Sequence, residues 1–318
     1  MKKLGILHLC LITLCLSSCD NGDEPSTSSR PQHNVNANTA PALSVTELTP
    51  TDLTQVAQRL EMPRLKGGPD NLFVCHTLSN GTINYCMEYD CSLRASRWTA
   101  FQWHKGFSSN ENLWNRNRWN QGETFNGYGG EGDPFQPDPL IPQEYRTELE
   151  DHSRNGYDRG HMLGSADRLN SREANGQTFY LSNMHPQASA FNQGGIWYNL
   201  EDKLRKQFDT NAFRDTLFVV KGGTIDNGLY TTKQGASGRS LIVPKHFFMA
   251  LLCKKDGNYK ALAFWMDHKA NNDANYTRYA ITIDELEEKT GIDFFCNLPD
   301  EIEEPVERTL GLFAWGLK

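Results

Sequence analysis

Apolar and polar positions along the chain alternate between two periods. From Thr51 to Leu60 the apolar residues recur at helical steps, until Gly67-Gly68-Pro69 breaks the pattern. The strand-like runs Leu72–His76 and Ile83–Met87 then flank Asn80-Gly81, a dipeptide suited to the positive φ of a tight hairpin. Arg97 to Trp103 alternates with period two and predicts a further strand. Residues 106–142, rich in Asn, Gly and Pro, predict a long irregular excursion of the kind that often carries function. A short strand is expected at Phe179–Leu181. Asn192-Gln193-Gly194-Gly195 reads as a turn into a helix whose apolar face is Ile196, Trp197, Leu200, Leu204 and Phe208. Strands follow at Leu217–Val220 (ended by Gly222-Gly223), Leu241–Val243, Phe247–Leu252 and Ala261–Trp265, and Ile281–Ile283 passes into a capped helix. Strands and helices are mixed without strict alternation, which predicts an α+β fold: a central, mostly antiparallel sheet flanked by helices.

The opening of the chain has a different character. Met1-Lys2-Lys3 precedes an apolar run from Leu4 to Leu16, too short to span a bilayer stably. It ends Leu16-Ser17-Ser18-Cys19, which resembles a bacterial lipobox. The resemblance implies that residues 1–18 are a lipoprotein signal peptide, and that lipidated Cys19 holds the protein to a membrane outside the cytoplasm, on a periplasmic or cell-surface face. Acyl chains contribute about 0.8 kcal/mol per buried CH₂, so several would anchor it firmly. Residues 19–50 contain no aromatic residue and read as a flexible tether, leaving 51–318 as the folded domain. With 7 Trp, 11 Tyr and 16 Phe, that domain can build a sizeable core. No later apolar run approaches the roughly 20 residues of a membrane span, and no repeat points to a solenoid. Cys75, Cys86, Cys91, Cys253 and Cys296 remain beyond the leader. An oxidising compartment favours one or two disulfides among them, with at least one thiol free or paired elsewhere.

Charge changes the picture locally more than globally. The chain carries 32 Lys+Arg and 39 Asp+Glu, a mild argument against a nucleic-acid partner. Between Arg94 and Trp119, however, Arg94, Arg97, Lys105, Arg116 and Arg118 face Glu111 alone. The acidic excess sits near the C-terminus, at Asp284, Glu285, Glu287, Glu288 and 300–304, and reads as a solvated surface. Neither H-E-x-x-H, G-x-S-x-G nor a P-loop is present, which leaves a metalloprotease, a serine hydrolase or an NTPase without a motif.

The chemistry concentrates between Tyr157 and Glu201. Asp158-Arg159-Gly160-His161 is followed by Ser165-Ala166-Asp167-Arg168, by Asn183-Met184-His185-Pro186-Gln187, and by Phe191-Asn192-Gln193-Gly194. This block of about 45 residues strongly resembles the DNA/RNA non-specific endonucleases, the ββα-metal nucleases, with weaker resemblance through most of 70–300. It implies a ββα-metal motif in the fold, residues 51–318 as the endonuclease domain, and Mg2+-dependent hydrolysis of DNA and RNA to 5′-phosphate ends, with Mn2+ as an alternative ion. Phosphodiester hydrolysis needs a base for water and positive charge on the developing phosphorane. An imidazole suits the first at neutral pH, and Gly160 would let the backbone pass close to substrate. By resemblance His161 is the base, Asn192 the one direct protein ligand of the ion, Arg159 lies near the scissile phosphate, and Asn183 supports the site from a strand end. Arg94 is expected to face phosphate from an early strand, with Arg97 as its rival. Asp158 is expected to fix the loop.

One departure from the pattern stands out. The family places a Glu eight residues after the metal Asn, whereas Glu201 follows Asn192 by nine. On an unbroken helix nine steps set two side chains about 180° apart, against about 80° for eight. Trp197 to Glu201 keeps the expected spacing, so the extra residue is assigned to Gly194-Gly195-Ile196, and Glu201 is kept as a residue that orients the ion's waters. For substrate, Arg97, Arg116 and Arg118, interleaved with Trp98, Trp103, Trp114 and Trp119, are candidates to pair with phosphates and stack on bases.

Overall fold

The computed structural model describes residues 34–45, 50–130 and 132–317. The expected signal peptide, Cys19 and the first part of the tether lie outside the described residues. Among the described residues no helix is long and apolar enough to cross a membrane.

In chain order the elements are β1 (Ser44–Val45), α1 (Pro50–Ala57), β2 (Asn71–Thr77), β3 (Ile83–Asp90), β4 (Ala95–His104), the small hairpin β5 (Thr124–Phe125) and β6 (Tyr128–Gly129), and β7 (Asp158–His161). Then come α2 (Arg172–Gln177), β8 (Met184–Gln187), α3 (Ser189–Asn192), α4 (Ile196–Lys203), β9 (Thr216–Gly223), and the hairpin β10 (Tyr230–Gln234) and β11 (Ser240–Pro244). The chain closes with β12 (His246–Lys255), β13 (Asn258–Asp267), β14 (Ala280–Ile281), α5 (Ile283–Thr290) and α6 (Asp300–Glu307). An eight-stranded sheet runs in the order β1-β2-β3-β4-β9-β12-β13-β14. All its pairings are antiparallel except β1 with β2. This is the α+β architecture expected.

Period two explains how one sheet serves two cores. On β12, Phe247, Met249, Leu251 and Cys253 enter one core and Phe248, Ala250 and Leu252 the other. Both faces are covered, so β12 reads as a continuous apolar run instead of an alternating one. The first face carries α4 through Trp197 and Leu200, together with Met162 and Leu163 just past β7. The second carries Leu53 and Val56 of α1, Ile283 and Leu286 of α5, and Ile302 and Val306 of α6. The His161 segment and the C-terminal helices therefore lie on opposite faces of the sheet.

Three expectations are corrected. The tether was expected to run to residue 50, yet residues 34–45 lie on the domain. Asn38 is 2% exposed and donates to the carbonyls of Ala57 (3.0 Å) and Pro63 (2.9 Å), while its Oδ1 accepts from Leu65 N (2.9 Å). Its low apolar content hid the segment, because polar hydrogen bonds and the two residues of β1 hold it. The strand expected at Phe179–Leu181 is displaced to β8, after a 3-10 turn at Leu181–Asn183. No disulfide forms: all five described cysteines are free and buried, although Cys75 and Cys86 face each other across β2 and β3 with sulfurs 3.1 Å apart.

The docking of residues 34–45 is testable. Asn38→Ala strands the Pro63 carbonyl and Leu65 N, while the Ala57 carbonyl keeps Asn297 Nδ2 (3.0 Å), and should lower unfolding free energy by about 2–3 kcal/mol in urea melts. A neutral substitution would show that the segment does not pack.

Candidate active site

β7 and β8 pair antiparallel, with Asp158 opposite Gln187 and His161 opposite Met184, and α3 follows directly, giving a β-β-α unit. The register explains Gly160. A Cβ there would sit 2.2 Å from the Gln187 side chain, so packing inside the unit demands glycine, rather than the substrate approach expected. Similarly, a Cβ on Gly195 would meet the Ala190 and Phe191 carbonyls at 2.3 and 2.4 Å. Gly194, at φ +76°, and Gly195 therefore separate α3 from α4, and Asn192 and Glu201 stand on different helices. The phase problem of the ninth residue disappears because no continuous helix joins them.

His161 closes β7. Its ring packs against those of Phe135 and Phe179, at centroid distances of 5.5 and 5.3 Å, and these two rings also touch each other at 5.2 Å. Its Nε2 is buried and has no hydrogen-bond partner. Burial lowers its pKa to about 3; Asp167 opposes the shift, while Arg116, Lys221 and Arg159 add to it. The imidazole is consequently neutral at physiological pH.

Asp158 organises the residues facing it. It accepts from Ser189 Oγ (2.8 Å), Asn192 Nδ2 (3.2 Å) and Gln193 Nε2 (2.9 Å). An amide has one donating end and one accepting end. With Nδ2 of Asn192 engaged, its Oδ1 is left without a protein donor among the described residues. Two adjoining cavities share His161, Asn192 and Gln193: one of about 630 Å³ with Asp133, Phe135 and Arg159, and one of about 350 Å³ with Arg116, Glu201 and Arg205. Arg159 reaches Asp133 at 3.1 Å and stacks over Phe135 at 3.9 Å.

Beneath the second cavity runs a buried ion network. Lys221 donates to Asp167 Oδ2 (3.2 Å) and Glu201 Oε1 (2.8 Å), and Arg205 donates to Asp167 Oδ1 (2.8 Å). Burial would raise the Asp167 pKa, but Lys221 and Arg205 hold it below the usual carboxylate range. Burial raises that of Glu201, with Lys221 opposing. Two cations and two carboxylates balance, as burial requires. Glu201 thus reaches the cleft wall while anchored from behind.

The structure brings His161, Arg159, Asn192, Arg116 and Glu201 together and places the other candidates outside the cavities. Arg97 is 3% exposed and spent on Glu88 (3.4 Å), Asp90 (3.1 Å), Asp226 and the Asn71 side chain (2.9 Å); it is a structural cation, not a phosphate ligand. Arg94 sits in the β3–β4 turn at φ +53° and donates to the Glu144 carbonyl (3.2 Å), away from both cavities. Arg118 pairs with Glu123 (2.6 Å) and lines neither. Asn183 is fully buried, and its carboxamide clamps backbone groups of Leu163 (2.9 Å both ways) and Thr178 (2.8 Å), so it supports the site through the chain and not through waters. Trp98, Trp103, Trp114 and Trp119 are all buried, which removes them as base-stacking platforms. Lys221, Asp167 and Arg205 were not singled out. The available signal was Lys221 itself, a charge ending the apolar run Leu217–Val220 in a strand covered on both faces.

Comparison with known proteins agrees with this geometry. Residues 76–301 match the family described as DNA/RNA non-specific endonuclease. The chain is 32% identical over 182 residues to Nuclease C1 of Cunninghamella echinulata var. echinulata, a match covering 55% of this chain and 71% of that protein. It is 30% identical over 222 residues to the mitochondrial nuclease EXOG of Danio rerio, spanning 67% of this chain but only 59% of the relative. To a nuclease of Nostoc sp. it is 26% identical over 270 residues, covering 80% and 88%. Among solved structures, a chain of the EndoG/EndoGI complex superposes with a TM-score of 0.55 over 72% of this chain and 88% of that one; at 23% identity the likeness is one of fold.

Two outcomes follow for folding. Arg97→Ala leaves buried carboxylates uncompensated and should cost about 3–5 kcal/mol of stability in denaturant melts. His185 is 1% exposed, and its pKa is lowered to about 4 chiefly by burial. A depressed imidazole adds stability above the unfolded value near 6.5 that fades as pH falls towards 4. His185→Gln should therefore lose about 2 kcal/mol less than the parent between pH 7 and 5, and an equal loss would show that His185 is not held neutral.

Proposed function

The chain belongs to the DNA/RNA non-specific endonuclease family, and we propose that it hydrolyses phosphodiester bonds of both DNA and RNA, leaving 5′-phosphate ends, with His161 as general base. The observation that carries this reading is the neutral imidazole of His161 lining the same cleft as the open carboxamide oxygen of Asn192.

The donors fit a hard divalent cation. Asn192 offers a neutral oxygen whose orientation Asp158 fixes, and the open cleft leaves room for waters and phosphate oxygens, the surroundings magnesium prefers. Such an ion, Mg2+ or Mn2+, held at Asn192 would supply positive charge to the pentavalent phosphorus and the departing 3′-oxygen. The His161 imidazole takes the proton of the attacking water, and Phe135 and Phe179 hold its ring in place. Arg159 can exchange Asp133 for a phosphate oxygen, and Arg116 reaches the cleft from the opposite side. Glu201, gripped by Lys221, presents its second oxygen to water in the cleft. These groups address phosphate and not base edges, which supports cleavage without sequence preference.

The lipobox-like Leu16–Cys19 supports a place in the cell envelope, with the enzyme lipid-anchored outside the cytoplasm and acting on extracytoplasmic nucleic acid.

Plasmid nicking tests the mechanism. The protein should convert supercoiled DNA to open circles with Mg2+, cut RNA, and stop with EDTA. His161→Ala should lower kcat by about 10²–10⁴-fold while keeping its melting temperature; a fully active variant would remove the proposed base. Arg116→Ala should raise KM more than it lowers kcat.

A further inference from the structure

The face of the sheet opposite the cleft carries a second concentration of carboxylates. α5 begins at a capping box, in which Thr282 Oγ1 accepts from Glu285 N (3.1 Å) and the Glu285 carboxylate from Thr282 N (3.0 Å), and it presents Asp284 and Glu287 three residues apart, on one side. α6 ends at Glu307. One carboxylate oxygen from each of Asp284, Glu287 and Glu307 lies within 4.8 Å of the others. Among the described residues no lysine or arginine forms an ion pair with any of the three.

A cluster of acids alone would be a solvated surface, as the sequence suggested. Glu307 departs from that. It is only 7% exposed, and its Oε1 is buried without any hydrogen-bond partner. Its strongest charged neighbour is Glu287. Glu287 is fixed in turn, because one of its oxygens accepts from Phe294 N at 2.7 Å. A buried carboxylate with an unpartnered oxygen, within 4.8 Å of two others, repels them unless a cation joins them.

We propose that Asp284, Glu287 and Glu307 form a binding site for a divalent cation of the calcium class, which ties α5 to α6 and is separate from the cleft at His161. The donors are oxygen only and anionic, the choice of a hard cation. Calcium takes about six to eight oxygen ligands at roughly 2.4 Å in a flexible geometry. Three carboxylate oxygens within 4.8 Å of one another can share one such ion, with water entering at exposed Asp284.

Calcium titration of the full chain tests this at pH 7.5, read by calorimetry and thermal melting. One Ca2+ should bind and raise the melting temperature by several degrees, both in the parent and in Asn192→Ala, in which the cleft's own ligand is gone. Glu307→Gln should lose that binding and that shift while nicking plasmid with Mg2+ at the parental rate. Should Glu307→Gln fold poorly, exposed Asp284→Asn serves instead, with calcium affinity expected to fall at least tenfold. Absence of calcium binding in the parent would overturn the site, the acids then being held by protons. Binding left unchanged by both substitutions would also overturn it.

Discussion

A single carboxylate sets the geometry of the cleft. Asp158 takes three donors, from Ser189, Asn192 and Gln193, and so joins the first residue of β7 to the end of α3. Because a carboxamide has only one donating end, holding that end decides where the oxygen points. His161 lies three residues further along the same strand. One strand therefore supplies the imidazole and, through Asp158, aims the carboxamide facing it. A shift of the β7–β8 register by one residue would turn Asp158 and His161 to the wrong side.

The remainder of the fold keeps that strand in place. The eight-stranded sheet buries both faces, so α4 can press Trp197 and Leu200 against the first face while α1, α5 and α6 close the second. At the cleft the sheet gives up apolar packing for charge: Lys221 of β9 is fully buried and bridges Asp167 and Glu201. Breaking a buried pair costs about 3–5 kcal/mol, so these partners are locked together. Glu201 thereby stays at the cleft wall despite its extra residue of separation from Asn192, since two glycines uncouple the helices and the ion pair fixes the position.

Much of this was legible in the residues. The Asn80-Gly81 hairpin, the apolar runs of β9, β12 and β13, and the face of Ile196, Trp197, Leu200, Leu204 and Phe208 each express one dominant local signal, and the sheet follows from them. His161 and Asn192 were legible as a motif, and the structure places them in one cleft. The arginines were not. A sequence cannot distinguish a guanidinium facing solvent from one facing three carboxylates, and Arg97 turned out to be the second kind because Glu88 and Asp90 of β3 and Asp226 after β9 converge on it. The tryptophans failed for the same reason, since interleaving with arginine says nothing about which side of a strand faces the core. The docked segment at Asn38 was hidden because its hold is polar, and a composition rule weighs only apolar content.

The central claim is that His161 and Asn192 act on one phosphodiester in one step. The most direct measurement is a double-mutant cycle in kcat/KM for plasmid cleavage with Mg2+, using His161→Ala, Asn192→Ala and the combination. Groups that serve one transition state lose their effect together. The account predicts that the double variant is no slower than the worse single one. Losses that multiply in full would show two residues working independently and would contradict it.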